Sequence, residues 1–374
     1  MVIVLLLTGP LAAEEPTPLT AVLPAGEVTT IACLSPYGAR QNVPDWPRDG
    51  IFHYRLYLPS DYHEQPARQY PLMFIAAPGG EARMGHMAER LTRDRWVVAM
   101  LAESRNRSVL WYPNFIATYN DVLKRVRVHP EMLFCTGFSG GARVCSRYPS
   151  VRPGFQGLIL QGAGYSGRAW VLTRSNAHVT VYGLFGDRDP NRREAHRIRR
   201  RLPMHTRSLV EIWDGGHEWA PAPAFERALD WVVDKALLEA EYDPGRAGVY
   251  VWYFLNKLAR FERATSDIER YVLRRLLKTL PERWHLELDE TTRERFQAVD
   301  TALRAFSEDD ALQREIAAHD AFDKALRADE AQRVGDLSEI IQQYGEVADR
   351  YPNTRFGHRA LMRQQSVRWE TGAP

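Results

Sequence analysis

Apolar residues follow two regimes along the chain. Between about residues 50 and 235, short runs that are apolar almost throughout alternate with longer stretches in which apolar residues recur every three or four positions. The short runs are PLMFIAA (71–77), WVVAMLA (96–102), MLFCTG (132–137), GLILQGA (157–163), VTVYGLFG (179–186) and SLVEIWDGG (208–216). Uninterrupted runs of this length predict strands buried on both faces. IFHYRLYLP (51–59) instead alternates and is rich in aromatic residues, which predicts a strand near a sheet edge. Helical spacing covers 81–93, 114–127, 141–148, 191–202 and 222–238. Strand, helix, strand repetition implies right-handed crossovers and a mostly parallel sheet with helices on both faces, so the fold class is α/β. Residues 15–50 are Pro-rich and read as an irregular lead-in to the first strand.

After about Ala240 the strand signal stops. VYVWYFLNKLARFERA, SDIERYVLRRLLKTL, TRERFQAVDTALRAF and DDALQREIAAHDAFDKALRA are helical by spacing and by their Leu, Ala, Arg and Glu content, with Pro281 between two helical stretches. Leu337–Gln365 reads as helix, turn at Pro352-Asn353, helix. It resembles one tetratricopeptide-type hairpin through Tyr344, Ala348, Tyr351, Pro352 and Ala360. No second copy carries the same letters, so a plain bundle and a short repeat array both stay open. The expected organisation is a lead-in over 14–50, an α/β region over 51–239, and a helical region over 240–374 that follows as a tail.

Composition narrows the functional classes. The chain has 374 residues, 45% hydrophobic and 26% charged, with a net charge of +2. No global field favours nucleic acid or a membrane surface. The basic run Asn191–Arg201 spreads its arginines around a helix and reads as a solvated face. MVIVLLLTGPLAAEE at the start resembles a secretory signal with cleavage near Ala13, although the basic n-region is missing. It predicts that 1–13 is removed and that the protein is secreted or periplasmic. No other run approaches the about 18 apolar residues of a membrane span. Cys33, Cys135 and Cys145 match no zinc pattern. In an oxidising compartment one pair would bond and leave one thiol over, and the spacing does not choose the pair. Three buried small hydrophobes are the alternative.

The candidate chemistry centres on LFCTGFSGGARVC (133–145). Gly137-Phe138-Ser139-Gly140-Gly141 fits G-x-S-x-G after a buried strand and before a helix. There the glycines allow a sharp turn that presents a nucleophile. The alternative is a Gly-rich turn with Ser139 as a helix N-cap. LFGDRDPN offers Asp187 and Asp189, and WDGGHEW offers His217, each behind a later strand. Serine, then acid, then histidine is the chain order of a triad on an α/β-hydrolase sheet, at the strand ends where sites of parallel sheets gather. Asp189 is favoured over Asp187, which otherwise reads as a loop acid or cap. An oxyanion hole needs backbone N–H donors, expected from Gly140 and from Gly79 or Gly80 in AAPGG (76–80). Among aromatics near these segments (Trp111, Tyr112, Tyr165, Trp170, Trp213, Trp219), Trp219 is expected to line the substrate pocket. The other ten histidines have no comparable setting.

VHPEMLFCTGFSGGARV, GDRDPN and WDGGHEW, in that order, resemble the α/β-hydrolase esterases, above all the secreted polyhydroxybutyrate-depolymerase, feruloyl-esterase and dienelactone-hydrolase-like group. The resemblance covers about residues 50–235. It implies an α/β-hydrolase fold, Ser139 as nucleophile, His217 as base, Asp189 as orienting acid, a carboxylic ester substrate, and no metal or organic cofactor. Two departures matter. Many relatives place His before the glycines where this chain has Ala-Pro. The stretch Tyr165–His178 is too short for a large lid, which suits short-chain, polysaccharide-linked or polymer esters. Two rival readings remain: a serine peptidase of the same fold, and a non-catalytic binding protein whose C-terminal helices recruit a protein partner.

Overall fold

The computed structural model of the chain describes residues 15–40, 42–166, 177–200, 207–301, 310–331 and 337–371. The signal-like segment 1–13, Trp170 and most of Tyr165–His178 lie outside the described residues. Eight strands form one sheet: β1 Val28–Leu34, β2 Ile51–Tyr57, β3 Tyr70–Ala76, β4 Val97–Leu101, β5 Val128–Phe138, β6 Phe155–Gln161, β7 Thr180–Gly186 and β8 Ser208–Trp213. Their spatial order is β1-β2-β4-β3-β5-β6-β7-β8. The β1/β2 and β2/β4 pairs are antiparallel and the rest are parallel. This order, with its antiparallel second strand, is the α/β-hydrolase fold. The strands β3, β4, β6 and β7 are buried at every position, as their unbroken apolar runs require.

Two elements differ from the sequence expectation. β1 forms inside the segment expected to be irregular, and it displaces β2 from the sheet edge. The run VTTIACL buries only Ile31, Ala32 and Cys33, so it lacks the apolar signal of its neighbours and is held by pairing with β2.

Twelve α-helices are described: α1 Ala88–Arg93, α2 Trp111–Arg125, α3 Gly140–Cys145, α4 Tyr148–Val151, α5 Ala195–Arg200, α6 Ala222–Leu238, α7 Ala247–Arg263, α8 Asp267–Arg283, α9 Glu290–Thr301, α10 Asp310–Ala331, α11 Ser338–Arg350 and α12 Arg355–Thr371. One sheet face is covered by a core that includes Phe74, Phe115, Tyr148 and Phe155. The other joins Met73, Val98 and Phe134 to Phe225 and Val232 of α6, and on to Trp252, Phe254 and Leu277 of α7 and α8. Helices beyond Ala240 therefore share a core with the sheet and are not a detached tail. A buried charge cluster ties the same helices together. Arg90 of α1 contacts Asp94 at 2.5 Å and Asp230 of α6 at 2.6 Å. Arg260 of α7 reaches Asp230 at 2.7 Å and Glu269 of α8 at 2.8 Å.

The α11–α12 hairpin matches the helix-turn-helix expected over Leu337–Gln365. It buries Tyr344, Val347, Phe356 and Ala360 against Phe322 and Ala325 of α10. Its second helix also reaches the sheet. In β8, Val181 N–H donates to the Arg207 carbonyl and Asp187 N–H to the Trp213 carbonyl, so odd-numbered residues face β7 and even-numbered ones face outward. Two outward groups find partners on α12: the Val210 carbonyl accepts from Arg363, and the Ile212 N–H donates to Ser366 Oγ at 3.0 Å. Arg363 is itself buried between Asp329 of α10, at 2.6 Å, and Glu370, at 3.0 Å. Among the described residues, no helix is long and apolar enough to cross a membrane.

Candidate active site

Ser139 sits between the end of β5 and the first residue of α3, with φ 51° and ψ −114°. Positive φ is strained for a non-glycine residue and is held here by its surroundings. Its N–H donates to the Gln161 carbonyl at 2.8 Å. The neighbouring glycines are required by close approach. A Cβ on Gly137 would lie 2.5 Å from the Gly141 backbone, and one on Gly141 would lie 2.2 Å from the Ala76 carbonyl oxygen at the end of β3. Although Ser139 occupies the N-cap position, its side chain makes no capping hydrogen bond. Its Oγ lies 3.0 Å from His217 Nε2 instead.

The His217 ring continues the chain: Nδ1 lies 2.9 Å from Asp189 Oδ1. Asp189 is buried, 1% exposed, and the same oxygen accepts the Asn191 N–H at 2.7 Å. Asp187 points elsewhere. Its Oδ1 accepts the Gly215 N–H at 3.0 Å, which ties the loop after β7 to the loop that carries His217. The Arg188 N–H donates to the Gly215 carbonyl at 2.9 Å and closes the same tie. Of the two acids that the sequence offered, Asp189 meets the imidazole and Asp187 braces its loop.

Two further polar residues hold the surrounding loops. Gln161 at the end of β6 donates to Thr136 Oγ1 at 2.9 Å and accepts the Ala220 N–H at 3.1 Å, just past His217. Glu194, after Asp189, accepts from Arg143 of α3 at 2.5 Å and from the Gly164 N–H at 2.9 Å. Both were missed in the sequence, because each works across a long separation and neither belongs to a local pattern. The basic run after Asp189 is also not simply solvated. Arg192 donates to the Asp187 carbonyl, and its guanidinium lies 4.5 Å from the ring centroid of Trp369 on α12.

The expected oxyanion donors separate. Gly140 begins α3 directly after Ser139. The Gly80 N–H is committed to the Ala77 carbonyl at 3.2 Å. Gly79 forms a β-bridge with Arg105 in the loop after β4. That loop brings in Asn106, unmarked by any motif. Its N–H donates to the Pro78 carbonyl at 2.8 Å, and a Cβ on Gly140 would fall 1.5 Å from its side-chain oxygen. Asn106 therefore lies against the backbone beside Ser139.

Trp219 is half-buried beside the site. Phe138 lies between it and the imidazole, with ring centroids 5.4 Å from Trp219 and 4.7 Å from His217. The His86 ring centroid is 6.1 Å from that of Trp219, and burial lowers its pKa from the ordinary value. Trp111 and Tyr112 start α2 and pack with Arg147 and Tyr37. Below Ser139, Cys135 of β5 and Cys145 of α3 are joined as a disulfide, Cα–Cα 5.9 Å. Cys33 is the free, buried thiol, and burial raises its pKa well above the usual range. Among the described residues, no three His, Cys, Asp or Glu side chains converge as metal ligands.

No protein-family description matches the chain, and no curated protein matches it in sequence. Solved structures do. A ferulic acid esterase aligns at 17% identity and TM-score 0.41, over 56% of this chain and 98% of its own. The Staphylococcus aureus fluorophosphonate-binding serine hydrolase F aligns at 13% and 0.42, over 56% and 99%. A hyperthermophilic esterase from the archaeon Pyrobaculum calidifontis aligns at 12% and 0.39, over 58% of this chain and 87% of its own. The strand order described above places the chain in the α/β-hydrolase fold independently of these likenesses.

Proposed function

We propose that the protein is a serine hydrolase that cleaves carboxylic esters through an acyl-enzyme. The observation that carries the reading is the continuous hydrogen-bonded chain from Asp189 through His217 to Ser139 on a positive-φ turn. Asp189 holds Nδ1–H, so Nε2 faces the serine as acceptor. His217 takes the Oγ proton while the oxygen attacks the ester carbonyl. Charge moves to the carbonyl oxygen, where the Gly140 and Gly79 N–H groups receive it. The imidazolium returns the proton to the departing alcohol, leaving the acyl group on Ser139. Water then attacks the acyl carbon, gives its proton to His217, and releases the carboxylic acid as Ser139 is reprotonated. No step draws on a metal or an organic cofactor.

The proposed substrates are short-chain, polysaccharide-linked or polymer esters, with Trp219 and Phe138 as the aromatic wall for the group next to the carbonyl. Export through the signal-like segment 1–13 agrees with the Cys135–Cys145 bond, since disulfides persist in oxidising compartments. The test is hydrolysis of p-nitrophenyl acetate by the purified chain. Ser139→Ala abolishes turnover and fluorophosphonate labelling while the fold is kept. Equal turnover in the variant, or failure of the probe to label Ser139 in the wild type, refutes the reading.

A further inference from the structure

Far from Ser139 in the chain, a cavity of about 90 Å³ opens between β8, α6, α10 and α12. At about 30 Å³ per water it has room for roughly three waters, so a small organic acid would fill it and extend into its mouth. Its walls divide by chemistry. Trp231, Phe322, Leu209 and Leu326 make an apolar pocket, and Arg227, Arg359, Arg363 and Glu211 stand around it. Two of the three guanidiniums are neutralised. Arg227 is held by Glu211 at 2.5 Å, and Arg363 by Asp329 and Glu370. Glu211 also accepts from Tyr182 at 2.8 Å.

Arg359 is different. Among the described residues it has no carboxylate partner, and it rests on Phe322 and Phe356, 4.9 Å and 5.3 Å from the ring centroids. Desolvation, with Arg227 and Arg355, pulls its pKa below the ordinary value, and Tyr182 and Glu211 offset only part of that. Stacking on aromatic faces offsets part of a guanidinium's desolvation but supplies no counter-charge. Among the described residues, Arg359 is thus the one guanidinium of this wall with no carboxylate at ion-pair distance.

We infer that this cavity is a binding site for a small carboxylate with an apolar body, its carboxylate on Arg359 and its body against Trp231 and Phe322. The planar guanidinium suits a bidentate carboxylate, and the apolar wall favours an aryl or alkyl acid over inorganic anions. Carboxylic acids are also what the proposed reaction releases. The inference does not depend on that reading, because binding is measured without catalysis.

The probe is 4-fluorobenzoate, observed by fluorine NMR line broadening with the full chain carrying Ser139→Ala. The expected result is saturable broadening that unlabelled benzoate reverses and millimolar phosphate does not. The neutral 4-fluorobenzyl alcohol binds at least tenfold more weakly. Arg359→Gln lowers 4-fluorobenzoate affinity at least tenfold, with circular dichroism confirming that the variant folds. Absence of broadening, equal binding of the alcohol, displacement by phosphate as effective as by benzoate, or unchanged affinity in the folded Arg359→Gln protein overturns the inference. If Ser139→Ala fails to abolish esterase activity while 4-fluorobenzoate still binds through Arg359, the functional reading falls and this one stands.

Discussion

Replacing Asp189 by Asn separates the two acids that the sequence left in competition. The substitution keeps volume and an acceptor oxygen, so the Asn191 N–H at 2.7 Å still finds a partner. What disappears is a negative charge 2.9 Å from His217 Nδ1. That charge matters most when the imidazole is protonated, which in the proposed mechanism is the transition state and not the resting enzyme. Coulomb's law at an effective dielectric of 20 gives about 5.7 kcal/mol for unit charges at that separation, or about 10⁴ in rate. The His217 side chain is 33% exposed, and solvent at that surface trims the loss toward about 10³. The loss should fall on kcat, with KM for p-nitrophenyl acetate little changed. Asp187→Asn keeps the acceptor for the Gly215 N–H and loses only an exposed pairing with Arg188. Surface pairs of that kind contribute about 1 kcal/mol or less, so the rate should drop less than about fivefold. Stopped-flow release of p-nitrophenol from both variants, with circular dichroism to confirm folding, decides the matter. A larger loss in Asp187→Asn than in Asp189→Asn refutes the assignment.

Other expectations follow from parts outside the Ser139–His217–Asp189 chain. The Cys135–Cys145 bond closes a loop of sequence separation 10, for which chain entropy gives about 3 kcal/mol. Urea titrations with and without thiol reductant should differ by up to that amount, and Cys135→Ala/Cys145→Ala should remove the difference. Burial alone would raise the Asp230 carboxyl, but Arg90, Lys257 and Arg260 outweigh it and hold the pKa well below the usual carboxylate range. Its stabilising contribution is therefore present above the unfolded carboxylate value of about 4 and is lost as pH falls below that toward the folded value. The stability gap between wild type and Asp230→Asn should be open at pH 7 and narrower at pH 3, and a constant gap refutes the point. Arg363→Met removes the buried guanidinium that pairs with Asp329 and Glu370 and should cost about 3 to 5 kcal/mol of unfolding free energy, measured by urea denaturation.

Much of the sheet was legible because β3, β4, β6 and β7 are apolar on both faces and so announce themselves as unbroken runs. β1 was not, since only its middle is buried and its existence depends on β2. The elbow at Ser139 was legible in its glycines, which are spaced to let β3 and α3 approach. The choice between Asp189 and Asp187 was not, because both acids lie in one short loop and only the fold shows which reaches the imidazole. Asn106, Gln161 and Glu194 act through contacts far apart in sequence, so no local spacing marks them. The C-terminal helices read correctly as helices and wrongly as a tail. Helical periodicity reports that a face is buried, but not that Arg363 and Ser366 serve a strand more than 150 residues earlier.

The contact between α12 and β8 also bears on how copies of this chain meet one another. The last strand of an open sheet is ordinarily a template on which a second chain can add a strand. Here two of its outward backbone groups are already taken by side chains of the same molecule. At the opposite end, the Ala32 N–H and carbonyl of β1 are both occupied by Thr17, at 3.0 Å and 2.9 Å. Each margin of the sheet is thus partly covered, at β1 by the segment just before it and at β8 by a helix far along the chain. A proteolytic cut in the turn between α11 and α12 would leave Ser139, Asp189 and His217 in the larger fragment yet bare a parallel strand edge. Precipitation or fibre growth of that fragment, ahead of any loss of its secondary structure, is the behaviour such an edge produces.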